Sequence, residues 1–433
     1  MEKTIDGYLK EFEKVKKVTE SEPSWLHSLR QEALDSFAQK GFPSVKDEAW
    51  RYTDLSSVAA SRFSVKADDG KMPPKLVTSL QQGFSSYFLF FLNGKFQPEI
   101  SQAPLGIRVE SIKDSVTRNA NLQKYFQLVA GSHEDPFLDL NLALGTDGIF
   151  IEIPDNFSMD LPLHIVHWSD AKGGLSQPKT IIKVGKSAKA VFIEDHRGGG
   201  AGNYLANPLT VVILDEQAIL QHYKTQQENP TAFHFSNLKL KQADRSSFSS
   251  FSFATGSKLT RYDISAKLEG PEAVCRLSGL YLGEGDQHFD QTTWVDHAQP
   301  MGTSRQLFKG ILGGNSRGVF TGRVLVRKGA QKTDAQQANK CLLLSEKAKV
   351  DSLPQLEILA DDVKCGHGAA VGQLEEDALF YLRSRGIGLR TAQKILAEGF
   401  AREVIETITD PQWKKYIEMI ASEKLIKIGT GGA

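Results

Sequence analysis

A cysteine and a histidine stand two residues apart in the segment Cys365-Gly366-His367-Gly368. Residues two apart in an extended chain point to the same side, so both side chains would face one surface. Sulfur and imidazole nitrogen are ligands that suit iron and zinc. The pair supplies two ligands only, which leaves a zinc site incomplete. A small buried cysteine beside a hydrogen-bonded histidine accounts for the same pattern equally well.

Other reactive residue types occur in patterns that favour structural roles. His164 and His167 are three apart, which places them on opposite faces of a strand and prevents them from sharing a metal ion. The charged segments 194–197 and 286–288 adjoin glycines, and we expect both to be solvated turns. The glycine-rich segment 198–202 lacks the Lys-Ser/Thr ending of a phosphate-binding loop and is predicted to join two strands.

The composition bounds the class of protein. The 433 residues carry 52 basic and 52 acidic side chains, so the formal net charge is zero. Proteins that bind nucleic acid usually have a basic excess, so this balance argues against such a partner. Apolar residues make up 40% of the chain, which is enough for a sizeable core and excludes wholesale disorder.

The cysteines and the N-terminus indicate a compartment. Cys275, Cys341 and Cys365 form an odd, sparse set, which is typical of a reducing environment rather than of a disulfide framework. Residues 1–18 contain no apolar signal segment, and the longest apolar run, residues 87–92, is far too short to span a membrane. We therefore predict a cytoplasmic protein with no membrane contact.

A long β-rich region contains or adjoins the segments with the candidate functional residues and would position them. Short apolar or alternating runs follow one another from about residue 149 to 359, with no sustained helical period. Such a pattern leaves a sandwich, a propeller or a β-solenoid, and the lack of a fixed repeat disfavours the propeller. Helices are predicted over 25–40 and after residue 371, and Asn93-Gly94 predicts a hairpin turn.

Three blocks of sequence resemble the SufB/SufD family, the scaffold proteins of the SUF iron–sulfur cluster assembly system. The most specific block reads ADDVKCGHGAAVG at 360–372 and continues as LFYLRSRGI at 379–387. Two further blocks, at 330–358 and 41–55, agree with it, so the resemblance brackets almost the whole chain. The residues at His367 and Leu382 resemble the SufD branch more than the SufB branch.

The resemblance implies a mainly β fold, with a right-handed parallel β-helix flanked by N- and C-terminal α-helical segments. On this basis residues 1–60 are predicted to be an N-terminal helical segment and 61–148 a mixed α/β lead-in. Residues 149–371 are predicted to be the β-helix core and 372–433 a C-terminal helical domain.

The resemblance also implies partners and a role. A family member of this kind pairs with a SufB paralogue and with the SufC ATPase, whose contact would lie on the C-terminal helices at about 387–424. A homodimer in isolation is compatible with this. The nascent cluster would form at the SufB interface, with His367 as a transient iron ligand and Cys365 nearby. No cofactor would stay bound to the isolated chain, and the chain would not be an enzyme.

Two rival functions remain open at this point. The first is a secreted-type β-helix enzyme acting on polysaccharides, which would need aligned carboxylates and normally a secretory signal. The second is a homomeric scaffold that works without SufB.

Overall fold

The computed structural model describes residues 2–65, 71–130, 135–200 and 202–430. Residues 1, 66–70, 131–134, 201 and 431–433 lie outside the described residues, although the predicted segments include them. Strand content of 39% exceeds helix content of 29%, so the chain is mainly β, as predicted. Among the described helices, none combines the length and apolar composition that crossing a bilayer requires.

The helices group at the two ends of the chain. They are α1 (Glu2–Val18), α2 (Ser24–Lys40), α3 (Ser56–Ala60), α4 (Pro74–Gly83), α5 (Ile112–Ser115), α6 (Asn121–Ala130), α7 (Pro136–Leu144), α8 (Glu376–Ser384), α9 (Leu389–Ile405) and α10 (Pro411–Thr430).

The strands run almost without interruption between α7 and α8, after three earlier ones. They are β1 (Tyr87–Leu92), β2 (Lys95–Phe96), β3 (Arg108–Ser111), β4 (Gly148–Ile153), β5 (Leu163–Ser169), β6 (Leu175–Ser176), β7 (Lys179–Val184), β8 (Lys189–Gly198), β9 (Leu205–Ala206), β10 (Leu209–Leu214), β11 (Ile219–Gln227), β12 (Phe233–Gln242), β13 (Ser247–Ala254), β14 (Leu259–Leu268), β15 (Val274–Gly283), β16 (His288–His297), β17 (Thr303–Leu312), β18 (Arg317–Val326), β19 (Asp334–Leu343), β20 (Lys349–Ile358) and β21 (Lys364–Gly372).

From β10 onwards successive strands alternate between two sheets, which are parallel apart from the antiparallel pairs β1–β2 and β3–β4, and so build a β-solenoid. The first sheet has the order β2-β1-β5-β8-β11-β13-β15-β17-β19-β21. The second sheet runs β20-β18-β16-β14-β12-β10-β7-β4-β3, with β6 and β9 at its side. About eight coils stack in this way, so the predicted parallel β-helix flanked by helices is confirmed.

The coils differ in length, which explains why the sequence shows no fixed repeat. Along one ladder of the first sheet, the spacing between stacked residues is 28, 27, 29, 31 and 30. That ladder consists of Tyr223, Phe251, Ser278, Leu307, Ala338 and Gly368. Each coil needs only to stack on its neighbours, so turns of different length are tolerated.

Helices cover the outer faces of both sheets where apolar side chains project outward. The N-terminal helices pack on the second sheet, where the rings of Phe137 and Phe235 stack with centroids 3.6 Å apart. On the first sheet, α9 and α10 bury Trp413 and Ile417 against Leu280 and neighbouring outward side chains. These contacts make the C-terminal helices part of the core rather than an appendage.

Several local predictions are confirmed, and several short or buried helices were not located individually. Asn93 and Gly94 have φ of 50° and 84° and join β1 to β2 as an antiparallel hairpin. The helix α1 lies in the segment 1–60 that was predicted to be helical, and Tyr8, Phe12 and Val15 form its buried stripe. The helix α7 was not located, because an element that is buried on all sides shows no clear helical period.

Candidate functional site

Strand β21 ends the first sheet, and its outer edge is free. Within the described residues β21 pairs only with β19, and β20 at the end of the second sheet pairs only with β18. Their backbone N–H and C=O groups on the far side therefore face away from the solenoid. The apolar side chains of Val371 and Ile358 are 50% and 41% exposed at this end. The solenoid thus presents an open end.

Cys365 and His367 lie on β21 and point the same way, as the sequence predicted. In the parallel register Cys365 pairs with Ala335 and His367 pairs with Gln337. Ala335 and Gln337 are buried in the solenoid interior, so the two side chains above them project over its last layer. Cys365 is partly packed against the core, whereas His367 is exposed. The structure therefore brings the two residues together at the open end.

The glycines beside His367 leave space for another molecule. A Cβ atom at Gly368 would meet nothing within 4 Å. Gly366 and Gly368 also line one end of a groove of about 670 Å³ that crosses the outer face of the first sheet from Tyr223. A partner backbone can approach the strand closely at Gly368, whereas at Gly366 the Oε1 atom of Gln336 lies 2.9 Å from the position of a Cβ.

The three thiols have different surroundings. Burial raises the pKa of the Cys275 thiol to about 12 and also raises that of Cys341, which lies 3.2 Å from the Tyr281 hydroxyl. Burial raises the pKa of Cys365 as well, although this residue is only partly buried. All three therefore favour the protonated thiol, and Cys365 is the one within reach of a partner.

Metal-binding residue types do not gather into larger sets here. Across the described ranges, no three His, Cys, Asp or Glu side chains are arranged so that they could hold a metal ion. His367 and Cys365 remain a pair of donors at an edge.

The segment 194–197 does not form a solvated turn, and that prediction was wrong. Glu194, Asp195 and His196 are buried within β8, which runs on to Gly198. The even positions of this strand point into the solenoid and the odd positions point outward. Charged residues stay in the strand because each finds a partner on a neighbouring coil, an arrangement that local sequence does not reveal.

These inward residues belong to an interior polar cluster that spans several coils. Its members are Glu194, His196, Lys224, His167, His222, Glu228 and His234. The Nζ atom of Lys224 lies 2.9 Å from Nε2 of His196 and 3.7 Å from Oε2 of Glu194. Burial alone would raise the pKa of Glu194, but His222 and Lys224 outweigh it and hold that pKa below the ordinary value. The charges are thus mutually compensated.

His164 and His167 face opposite sides of β5, as predicted. His164 points outward, where its Nε2 lies 3.4 Å from Oδ2 of Asp195 and its ring contacts Trp413 of α10. His167 points inward and stacks on His196 with ring centroids 4.4 Å apart. The two imidazoles cannot share a ligand.

The segment 286–288 forms the predicted solvated turn only at Asp286, because Gln287 is buried. The segment 198–202 joins two strands, as predicted. Asp286 is exposed in a turn, whereas His288 begins β16 and its Nε2 lies 3.0 Å from Oγ1 of Thr53. The glycine-rich segment links β8 to β9, with Gly200 at φ 72°, and its residue 201 lies outside the described part of the chain.

Acidification is expected to destabilise the fold through the buried histidines. Burial lowers the pKa of His167 and of His297 to about 4, from an ordinary value near 6.5. The unfolded chain therefore takes up protons before the folded chain does. The contribution of these two histidines to the free energy of unfolding is fully present above pH 6.5. It is lost as the pH falls towards 4, by up to about 3 kcal/mol for each residue.

Thermal denaturation between pH 7.5 and 4.5 measures this effect. The variant His297→Gln removes one of the two groups, so its midpoint should fall less steeply with pH. A pH dependence equal to that of the wild type would contradict the role of His297.

The comparisons with known proteins agree with this architecture. Residues 2–165 match the SufBD protein N-terminal region, and residues 167–400 match the family described as SUF system FeS cluster assembly, SufBD core domain. Iron-sulfur cluster assembly protein SufD of Escherichia coli (strain K12) is 31% identical over 391 residues, which cover 89% of this chain and 90% of the relative.

Two other relatives span most of the chain. An iron-sulfur cluster assembly SufBD family protein of Synechocystis sp. is 30% identical over 423 residues, with 93% of this chain and 92% of the relative covered. Protein ABCI7, chloroplastic, of Arabidopsis thaliana is 29% identical over 397 residues, with 88% and 82% covered.

The predicted resemblance is therefore confirmed over both the helical lead-in and the solenoid. The core match alone extends across more than half of the chain, and the SufD relative covers nine-tenths of it. The chain belongs to the SufBD family and has a role in SUF iron–sulfur cluster assembly.

Proposed function

We propose that the chain is a non-enzymatic scaffold subunit whose open solenoid end pairs with a SufB-type partner and helps to build a nascent cluster there. The observation that carries this proposal is the position of His367 and Cys365 on β21, the strand with the free edge. A free edge and exposed apolar side chains favour pairing with another chain. The donors would then lie at the interface.

The two donors would have unequal parts in this assembly. The imidazole of His367 can offer a nitrogen to iron, and it is exposed where a partner would arrive. Burial raises the pKa of the Cys365 thiol, so Cys365 is the weaker ligand. The partner would supply thiolate. The iron–sulfur cluster is cargo in this scheme, and mixed histidine and cysteine ligation would hold it loosely enough for transfer.

The C-terminal helices are proposed to bind the SufC-type ATPase, within 387–424. Leu389 and Ile395 of α9 are 46% and 41% exposed, although other residues of the same helix are buried against the first sheet. One helix can thus contact the core and a partner with different faces. Deleting α9 and α10 would uncover the core around Trp413, so surface substitutions are the cleaner test.

Paired surface variants test both contacts in one co-purification experiment. Val371→Asp with Ile358→Asp places charges at the open end, and Leu389→Asp with Ile395→Asp places them on α9. Because an unpaired charge in an interface costs at least about 2 kcal/mol, each pair should weaken its own contact about 30-fold or more. The first pair should lose the SufB-type partner and keep the ATPase, and the second should do the reverse.

Each variant serves as the folding control for the other. Full retention of the SufB-type partner by the Val371 and Ile358 variant would show that the open end is not the pairing surface. Full retention of the ATPase by the Leu389 and Ile395 variant would remove α9 from the proposed contact.

A further inference from the structure

Gln337 lies directly beneath His367, and its buried amide has no hydrogen-bond partner in the structure. The two residues are register partners on β19 and β21, so their inward side chains stack at the spacing between adjacent strands, about 4.8 Å. Gln337 is 2% exposed, and neither its Oε1 nor its Nε2 has a hydrogen-bond partner among the described residues. Buried amides usually have hydrogen-bond partners. Gln177 is also buried with both amide atoms unpaired, but Gln337 is the one that is stacked on His367.

The opposite sheet makes room for this carboxamide. A Cβ atom at Gly322 of β18 would collide with Nε2 and Cδ of Gln337, so a side chain there would force the amide to move. The position is therefore shaped around a polar side chain, although an apolar residue would fill an interior layer at lower cost. Gly322 lies one coil below the open end, in the layer that His367 overhangs.

The residue stacked below Gln337 on the next coil offers its amide a hydrogen-bond partner and so favours one orientation of that amide. Gln306 of β17 is the register partner of Gln337 on the side away from His367. Oγ1 of Thr293 donates to Oε1 of Gln306 at 2.7 Å, which leaves that oxygen a second lone pair. Nε2 of Gln337 does not reach this oxygen in the structure, but a rotation of the amide towards Gln306 would let it donate there and would turn Oε1 towards the histidine.

We propose that Gln337 is a positioning residue for His367: a rotation of its amide brings Oε1 to the imidazole, whose ring N–H then donates to it, so that the other ring nitrogen is unprotonated and directed at the partner. This inference rests on the proposed function, in which His367 offers a nitrogen to iron. Histidines that bind metals commonly donate their second ring N–H to an oxygen, which fixes both the tautomer and the ring orientation. Because β21 is the last described strand of its sheet, no following coil can supply an oxygen that accepts the ring N–H of His367.

The test uses the variant Gln337→Leu, which keeps the side-chain volume and removes the acceptor. Replacing an unpaired buried amide with an apolar group should leave the thermal midpoint unchanged or raise it. In the isolated full-length chain with ¹⁵N-labelled histidine, the nitrogen chemical shifts of His367 should report one dominant tautomer. In Gln337→Leu they should report a mixture. Cluster formation by the reconstituted complex should fall about 10-fold or more.

The matched control is Gln291→Leu. Gln291 is also a buried glutamine with an unpaired amide oxygen, but it lies in the second sheet and its register neighbours are Tyr262 and Phe320. This variant should change neither the His367 tautomer nor cluster formation. Gln337→Met serves as a second test variant if the leucine substitution disturbs folding.

The outcomes separate this inference from the proposed function. An unchanged tautomer ratio in Gln337→Leu and in Gln337→Met would overturn the positioning role, even if cluster formation fell. Normal cluster formation in a His367→Ala complex would overturn the proposed function, and the tautomer measurement would still decide whether Gln337 orients the ring.

Discussion

Replacing His367 with alanine is expected to reduce cluster production by the reconstituted complex at least about 10-fold, as loss of a metal ligand or its support typically does. The change removes the exposed imidazole at the open end of the solenoid and uncovers no core. The free energy of unfolding should therefore change by no more than about 0.5 kcal/mol, the usual range for a surface substitution. Absorbance of the cluster and iron content per complex measure the yield.

Cys365→Ser is the matched variant for this experiment. Because burial raises the pKa of the Cys365 thiol, its sulfur is a poorer ligand, and the serine variant should lose less activity than His367→Ala. Co-purification of the complex confirms that assembly is intact in both variants. A normal cluster yield from an intact His367→Ala complex would reduce His367 to a structural residue.

The largest effect on stability is expected from Lys224→Met in the interior polar cluster. The methionine keeps most of the volume but removes the lysine charge that faces Glu194 and Glu228, both of which are buried. Removing one partner of a buried charge set leaves the other charges uncompensated, which typically costs about 3–5 kcal/mol. Urea and thermal denaturation at pH 7.5 measure the loss.

Two controls make this prediction specific. Adding Glu194→Gln to Lys224→Met removes an uncompensated carboxylate and should restore much of the lost stability. Lys239→Met, at a half-buried lysine on β12, should change stability by about 0.5 kcal/mol or less. A loss below about 1 kcal/mol in Lys224→Met would mean that the lysine does not compensate the cluster.

The alternation of side chains along the chain already predicted much of the local structure. Strand alternation placed Cys365 and His367 on one side and His164 and His167 on opposite sides, and the structure agrees in both cases. The hairpin at Asn93-Gly94 followed from two residues that tolerate positive φ. These features depend on neighbours within a few residues, so the sequence specifies them directly.

The resemblance to a family supplied what pattern alone did not decide. Short strands without a fixed repeat left a sandwich, a propeller and a solenoid open, and coils of 27 to 31 residues explain why. The three blocks that resemble the SufB/SufD family led to the family that the comparisons confirm. The same blocks pointed to His367, whose role stays a prediction.

Only the tertiary structure decided which distant residues stack on one another. Gln337 and His367 are 30 positions apart, and their pairing on adjacent strands depends on a parallel register that turn lengths and core packing set together. The same is true of Lys224 and Glu194, 30 positions apart on adjacent strands, and it is why a charged segment that resembles a solvated turn is buried. Side-chain periodicity is a local property of the chain, whereas burial and partnership in a solenoid come from the neighbouring coil.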